Sequence, residues 1–301
     1  MKKEGIPPEE ERKLAWLHLS FDIPSLWEVV AFSFEESAGR LEFSTREGHQ
    51  ARFAWLKNKD IPDLPKMLTE FHKRRLIGAS RKEELETFRG LEFRTEGPFT
   101  VGIYKDAEPF QAALFHPELK TSTICSFPCY TPKLYRKTLA PLLRSFHLNT
   151  DPLRRWAVWG LDFSLPQDYL LTDVKALPAD VTMSFESGRG ARVTLRRWGL
   201  APLLLRENPL HAFYKQFLLN QKAIHVERIS DDNFRFRGHE AALFRFEMRG
   251  KLDMERLVGK WWQGTALVFL DREAMRITAC DQWARAGKTE PMEFDNVFTK
   301  A

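Results

Sequence analysis

Cysteine is scarce in this chain of 301 residues: Cys125, Cys129 and Cys280 are all it has. Three thiols are too few, and odd in number, for a disulfide scaffold, and they fit a reducing compartment. No stretch approaches the ~18 consecutive apolar residues of a membrane-spanning helix, so no membrane segment is expected. The start, MKKEGIPPEEERK, carries two early lysines with no apolar core behind them, so no secretory signal is expected either. Together these absences point to a cytoplasmic protein.

Motifs for chemistry are missing as well. The glycine-rich Gly188–Arg192 (GRGAR) lacks the spacing of a nucleotide loop and falls in a hairpin pattern. His239 and Glu240 open HEAAL, without the second histidine that a zinc protease places at i+4. Cys125 and Cys129 have no second Cys or His pair nearby at zinc spacing. A cysteine nucleophile would need a histidine and an oxyanion site, and none can be assigned. The expectation is therefore no catalytic residue, no metal and no cofactor.

What is present is a composition of 43% hydrophobic and 29% charged residues, that of a folded globular protein. The length suits two ordinary domains. Phe (24) and Trp (9) dominate the aromatics, side chains that suit sheet faces and helix–sheet packing. The formal net charge of +5 permits attraction to nucleic acid, but the basic residues are scattered among nearly as many acids.

The chain also says similar things twice. In WLHLSFDIP, Leu17, Leu19, Phe21 and Ile23 alternate; in VWGLDFSLP, Trp159, Leu161, Phe163 and Leu165 do the same, and Pro24 and Pro166 close them. Period-two alternation reads as a strand with one buried face, and proline cannot donate to a continuing ladder. LEFSTREGHQARFAW (Leu41–Trp55) aligns without a gap on VTMSFESGRGARVTL (Val181–Leu195) as a hairpin. It shares Ser44, Gly48, Ala51 and Arg52 with Ser184, Gly188, Ala191 and Arg192, where chance gives roughly one identity. A helix pattern follows in each half. Leu64, Leu68 and Phe71 make a thin stripe; Leu210, Phe213, Tyr214, Phe217 and Leu218 make a full face, with Asn208 as N-cap and Pro209 at the first helical position. Then FRGLEF (Phe88–Phe93) is echoed by FRGHEA (Phe236–Ala241), and TIC (Thr123–Cys125) by TAC (Thr278–Cys280). The expected organisation is two tandem copies, residues 1–149 and 150–301, each an α+β fold of an antiparallel sheet packed with helices. Turn chemistry between His147 and Arg155 marks the boundary. The first copy closes with a helix over Tyr135, Leu139, Leu142 and Phe146 that Pro141 should kink, after Thr131 and Pro132 as cap and first residue. The second has only a short polar tail.

The openings LSFDIP and LDFSLP, with the LAPLLRSFHLN close of the first copy, resemble the PsbP-like family, named for an extrinsic protein of photosystem II. That resemblance implies an α/β/α sandwich and a role in binding proteins without catalysis. It transfers no functional residue, and this chain departs from secreted members in lacking a signal and a lipid-acceptor cysteine.

Candidate contact residues come from three features. Arg89 with Glu92, and Arg237 with Glu240, repeat as a possible ligand-orienting pair; the plainer reading is a glycine turn braced by each pair. Trp261 and Trp262 are adjacent, so on a strand they face opposite ways and one is a candidate anchor for a partner. The basic run His72–Lys82 and the interleaved FRFRGHEAALFRF admit phosphate or base contacts, although alternation turns Phe244 and Phe246 toward a core. The function expected is a non-enzymatic binding or adaptor protein that holds a protein partner at an inter-domain surface. A nucleic-acid-associated protein is the alternative, and a hydrolase or transferase with an unrecognised site the third.

Overall fold

The computed structural model describes residues 10–46, 48–77, 91–104, 110–127, 132–221, 223–249, 261–285 and 292–298. The chain divides into two compact units, Met1–Asn149 and Thr150–Ala301. Each is α+β, with its strands paired antiparallel.

The first unit opens with a hairpin of β1 (Glu11–Trp16) and β2 (Leu19–Pro24). Alternation suggests one strand from Leu17 to Ile23; the chain instead reverses at Leu17 and His18, with Leu17 in the left-handed region (φ 52°). Neither residue is a typical turn former, so period-two spacing alone conceals the reversal. Then come β3 (Glu28–Phe32), β4 (Ala38–Thr45), β5 (Gly48–Lys57), helix α1 (Leu64–Ile77), β6 (Leu91–Glu96), β7 (Phe99–Tyr104), β8 (Phe110–His116) and β9 (Thr121–Phe127). Their order in space is β3-β4-β5-β9-β8-β7-β6. The last strand thus returns to the third, with Phe53 opposite Cys125.

The hairpin covers one face of this sheet through a cluster of rings. Phe21 stacks on Phe53 at 4.7 Å, and Phe43 meets Phe53 edge-on at 5.6 Å. After β9 the chain forms α2 (Pro132–Leu134), a π-helical turn (Tyr135–Leu139) and α3 (Ala140–Ser145). The expected kink at Pro141 takes this form: proline offers no N–H, and the Ala140 N–H bonds five residues back to the Tyr135 carbonyl. Pro132 opens α2 as expected, and Thr131 lies outside the described residues. A short β10 (His147–Leu148) then pairs with β2.

In the second unit β11 (Leu153–Val158) and β12 (Leu161–Pro166) form the hairpin, turning at Trp159 (φ 50°) and Gly160 (φ 74°). The sheet follows as β13 (Tyr169–Leu177), β14 (Asp180–Ser187), β15 (Arg192–Trp198), α4 (Ala201–Leu204), α5 (Leu210–Asn220), β16 (Ala223–Arg228), β17 (Arg235–Phe236), β18 (His239–Arg249), β19 (Trp261–Asp271) and β20 (Arg276–Arg285). Its order is β13-β14-β15-β20-β19-β18-β16, with β17 paired to β18. Again the last strand joins the third, Leu195 opposite Cys280. On one face the hairpin packs its Trp156 and Phe163 on Phe185, at 5.0 and 5.7 Å. On the other lies α5, whose Leu210, Tyr214 and Leu218 bury against Phe244, Phe246, Ala266 and Val268. Gly264 is required here: a Cβ would stand 2.5 Å from the Phe246 ring and 2.6 Å from the Gln282 carbonyl.

Three sequence expectations are displaced. Strand pairing puts Leu41 opposite Phe53 and Met183 opposite Leu195, so Leu41 corresponds to Met183 and not to Val181. A two-residue slip keeps the same face buried, which is why the gapless alignment looked sound. Phe236-Arg237-Gly238 turns the chain into an interior strand, with φ 52° and 83° at Arg237 and Gly238, whereas Glu92 sits on the edge strand β6. The two motifs therefore occupy different places in their sheets. The C-terminal tail is not merely polar: α6 (Phe294–Val297) leads Phe298 onto Phe236 and Phe269, with Val297 buried.

The first unit also buries two histidines. The His18 ring meets Trp55 at 5.7 Å and His116 at 6.1 Å, and His116 stacks on Phe146 at 5.4 Å. Burial lowers the His116 pKa from 6.5 to about 4, so the ring is neutral in the fold. Between those values the unfolded chain holds the extra proton, and stability falls as the pH drops through this window. Urea midpoints measured from pH 7 to 4 should show a shallower decline in His116→Phe than in the parent; equal slopes would refute the assignment.

Candidate binding surface

β15 ends at Trp198, whose ring lies 5.0 Å from Phe217 and 5.9 Å from Phe213 on α5. Just beyond, Gly199 N–H donates to the Ala179 carbonyl at 2.9 Å, and Leu200 takes a left-handed conformation (φ 59°). Ala201 N–H then donates to the Met275 carbonyl at 3.1 Å, and Met275, in the β19–β20 turn, is also left-handed (φ 52°). A non-glycine residue held so costs about 1–3 kcal/mol, and such strain collects at ligand clamps and functional sites.

These two strained backbones hold apolar side chains out to solvent. Leu200 is 60%, Leu203 65% and Met275 56% exposed, and Leu204 stands beside them. Between this corner and the start of α5 lies a cavity of about 350 Å³. Ala201, Leu205, Pro209, Leu210 and Leu270 line it, and Glu240 and Arg272 give it one polar edge, paired at 2.6 Å. The helix begins one residue later than expected: Pro209 is its N-cap, its carbonyl accepting from Ala212 and Phe213, and Asn208 does not cap. A patch of clustered exposed apolar residues around a concavity marks a contact surface. Sequence reasoning passed over it. Its only signal was GLAPLLL (Gly199–Leu205), an apolar run with no helical or strand period.

Of the sequence candidates among the described residues, Glu240 alone falls on this surface. Arg237 instead donates to the Phe298 carbonyl and, at 3.4 Å, to that of Asp295, and lies over the Phe236 ring. Arg237 thus ties down the C-terminal segment, while Glu240 pairs with Arg272, so the two find partners in different places. Glu92 pairs with Arg94 at 3.3 Å on exposed β6. Arg89 lies outside the described residues, as do Cys129 and the latter part of the His72–Lys82 run.

Trp261 and Trp262 begin β19, at the opposite end of that strand from Leu270. The side chain of Trp261 is outside the described residues. Trp262 is half-buried, 5.6 Å from Trp283, with the guanidinium of Arg192 at 5.3 Å and that of Arg285 at 5.6 Å. Further along the same sheet, with Asp281 opposite Ala266, is a buried polar set: Tyr214 Oη donates to one oxygen of Asp281, and Arg196 pairs with the other. Burial, reinforced by the Asp281 charge, pushes the Tyr214 phenol well up. Cys125 and Cys280 are free and fully buried, and burial raises both thiols. Among the described residues no cluster of His, Cys, Asp and Glu could hold a metal, and no helix is long and apolar enough to cross a membrane.

No protein-family model and no curated protein matches this chain. Among solved structures, the apo structure of immunity protein TplEi of T6SS from Pseudomonas aeruginosa aligns over 98% of this chain and 96% of its own. The identity is 12% and the TM-score 0.31, a likeness too distant to carry an argument.

The Arg196–Asp281–Tyr214 set makes a direct prediction. Asp281→Ala strands a buried guanidinium and should cost about 3–5 kcal/mol. Replacing the set together (Arg196→Met, Asp281→Leu, Tyr214→Phe) should recover most of that loss in urea unfolding; a triple variant as unstable as Asp281→Ala would contradict it.

Proposed function

We propose that this chain is a non-enzymatic protein-binding module, and that the corner formed by α4, Met275 and the adjoining cavity is its contact surface. The observation that carries the reading is the strained presentation of Leu200 and Met275 to solvent beside Leu203. A fold with no use for the corner would gain by turning these side chains inward or replacing them. The Glu240–Arg272 pair supplies the polar rim that orients a partner. The buried thiols and the locked Tyr214–Asp281–Arg196 set support a role without chemistry. The PsbP-like resemblance implies the same. The duplication of one α+β domain belongs to this proposal too, supported by two sheets in which the last strand returns to the third.

On this reading Trp262 serves the fold, braced by Trp283 and two guanidiniums, and the apolar corner takes the anchoring role. A nucleic-acid role has less support, because Phe244 and Phe246 are buried and only Arg245 between them is exposed.

Leu203→Glu and Met275→Glu place a charge on an exposed surface and should leave the melting temperature nearly unchanged. Each should cut recovery of partner proteins from native lysate by about tenfold or more, as for loss of a hot-spot contact, in quantitative mass spectrometry against the parent. Recovery equal to the parent's, by a folded variant, would reject this corner as the contact surface.

A further inference from the structure

Two arginines of the second unit stand together at the end of its sheet, and among the described residues neither pairs with an acid. Arg197 lies on β15, one residue inside its end, and Arg276 opens β20. In the pairing Arg197 is opposite Thr278, so Arg276 is its diagonal neighbour on the same face. The turn at Trp159 and Gly160 sits over them. A Cβ on Gly160 would stand 2.5 Å from Arg276 Nη1 and 3.4 Å from Arg197 Nη1, so both guanidiniums lie close against this glycine and that of Arg276 takes the place a side chain would need.

The electrostatics of the place are unbalanced. Arg197 is only 8% exposed, and among the described residues its one hydrogen bond is a long one, 3.3 Å, to the Pro178 carbonyl. Its Nε is buried with no partner. Neither arginine forms an ion pair with a described carboxylate. Burial, and then the neighbouring Arg276 charge, act against the charged form of Arg197. A buried cation is ordinarily paired, and a second cation at its side raises the cost of leaving it unpaired.

The first unit treats the corresponding place differently. There the hairpin turn carries His18 where the second has Gly160, and Trp55 stands opposite Thr123 as Arg197 stands opposite Thr278. The His18 and Trp55 rings meet edge-on at 5.7 Å and fill the space. In the second unit the same corner offers two guanidiniums packed against an exposed glycine.

We propose that Arg197, Arg276 and the Gly160 turn form a binding site for a small oxyanion, of phosphate or carboxylate chemistry. Guanidiniums present paired N–H donors that match such oxygens, and the anion supplies the charge that the site lacks. The glycine lets both guanidiniums converge beneath the turn, where a side chain would collide with Arg276.

The test uses the full chain, titrated at constant ionic strength with inorganic phosphate and separately with acetate, read by calorimetry and by melting temperature. The parent should bind one equivalent of phosphate, acetate or both, and its melting temperature should rise with that anion. Phosphate alone would mark a phosphate site, and acetate alone a carboxylate site. Arg276→Gln leaves Arg197 in place and removes a repulsive neighbour, so it should fold at least as stably in anion-free buffer. Its affinity should fall on the order of tenfold or more, as for loss of a charged hydrogen bond, and its melting temperature should respond only to the general salting effect of phosphate. Arg197→Met gives a second reading should Arg276→Gln misfold. No saturable binding by the parent, or an unchanged affinity in a folded variant, would overturn the proposal.

Discussion

Each unit depends on one long-range strand pairing, β5 with β9 and β15 with β20. At least one helix and three further strands intervene in sequence, so closing this pair orders a long loop before any local reward is collected. The residues at the closure are suited to it. Phe53 faces Cys125 and Leu195 faces Cys280, each cysteine fully buried. A thiol there is small enough to lie beneath the rings the hairpin brings down, Phe21 on Phe53 and Trp156 with Phe163 on Phe185. The repeated cysteines are therefore packing residues, and their raised thiols follow from that packing.

Closing the sheet in the middle leaves its two edges open, and the chain manages them. β3, β13 and β16 each carry a register irregularity against their neighbour, at Val29/Ala31, Leu171/Asp173 and Ala223/His225. An irregular edge is a poor template for another strand. The remaining edge, β6, pairs regularly but exposes Glu92 and Arg94, and charge does the same work.

What could be read in the sequence and what could not follows from this layout. The face of α5 was legible because Leu210, Tyr214 and Leu218 obey one period and meet one sheet. The strands Phe99–Tyr104 and His239–Arg249 were legible for the same reason, with Phe244 and Phe246 inward. The reversal at Leu17 was not, since Leu17 in the turn shares the parity of Leu19, Phe21 and Ile23, while the inward face of β1 passes to the even positions Leu14 and Trp16. The two-residue slip between Leu41 and Met183 was hidden because a shift of two keeps every side chain on its own face. The motif Phe-Arg-Gly misled because shared letters do not fix a strand's place: Glu240 reached the candidate surface through its pairing opposite Leu270, a contact no local pattern encodes. The α4 corner escaped because exposed apolar residues have no period at all.

The turn over β15 and β20 shows why chemistry concentrates where the packing stops. Along the hairpin, ring after ring fills the space above the sheet, and a side chain's identity is dictated by volume. At the turn that constraint ends. His18 with Trp55 continues the aromatic packing to the end of the first sheet, and the His18 ring also meets that of His116, which burial keeps neutral. Gly160 with Arg197 and Arg276 ends it one layer sooner, and a guanidinium takes the place of a ring. A buried guanidinium gains nothing from packing that an aliphatic chain of its size would not give more cheaply. On the proposal of an anion site, its presence there is accounted for by the oxygens it can hold.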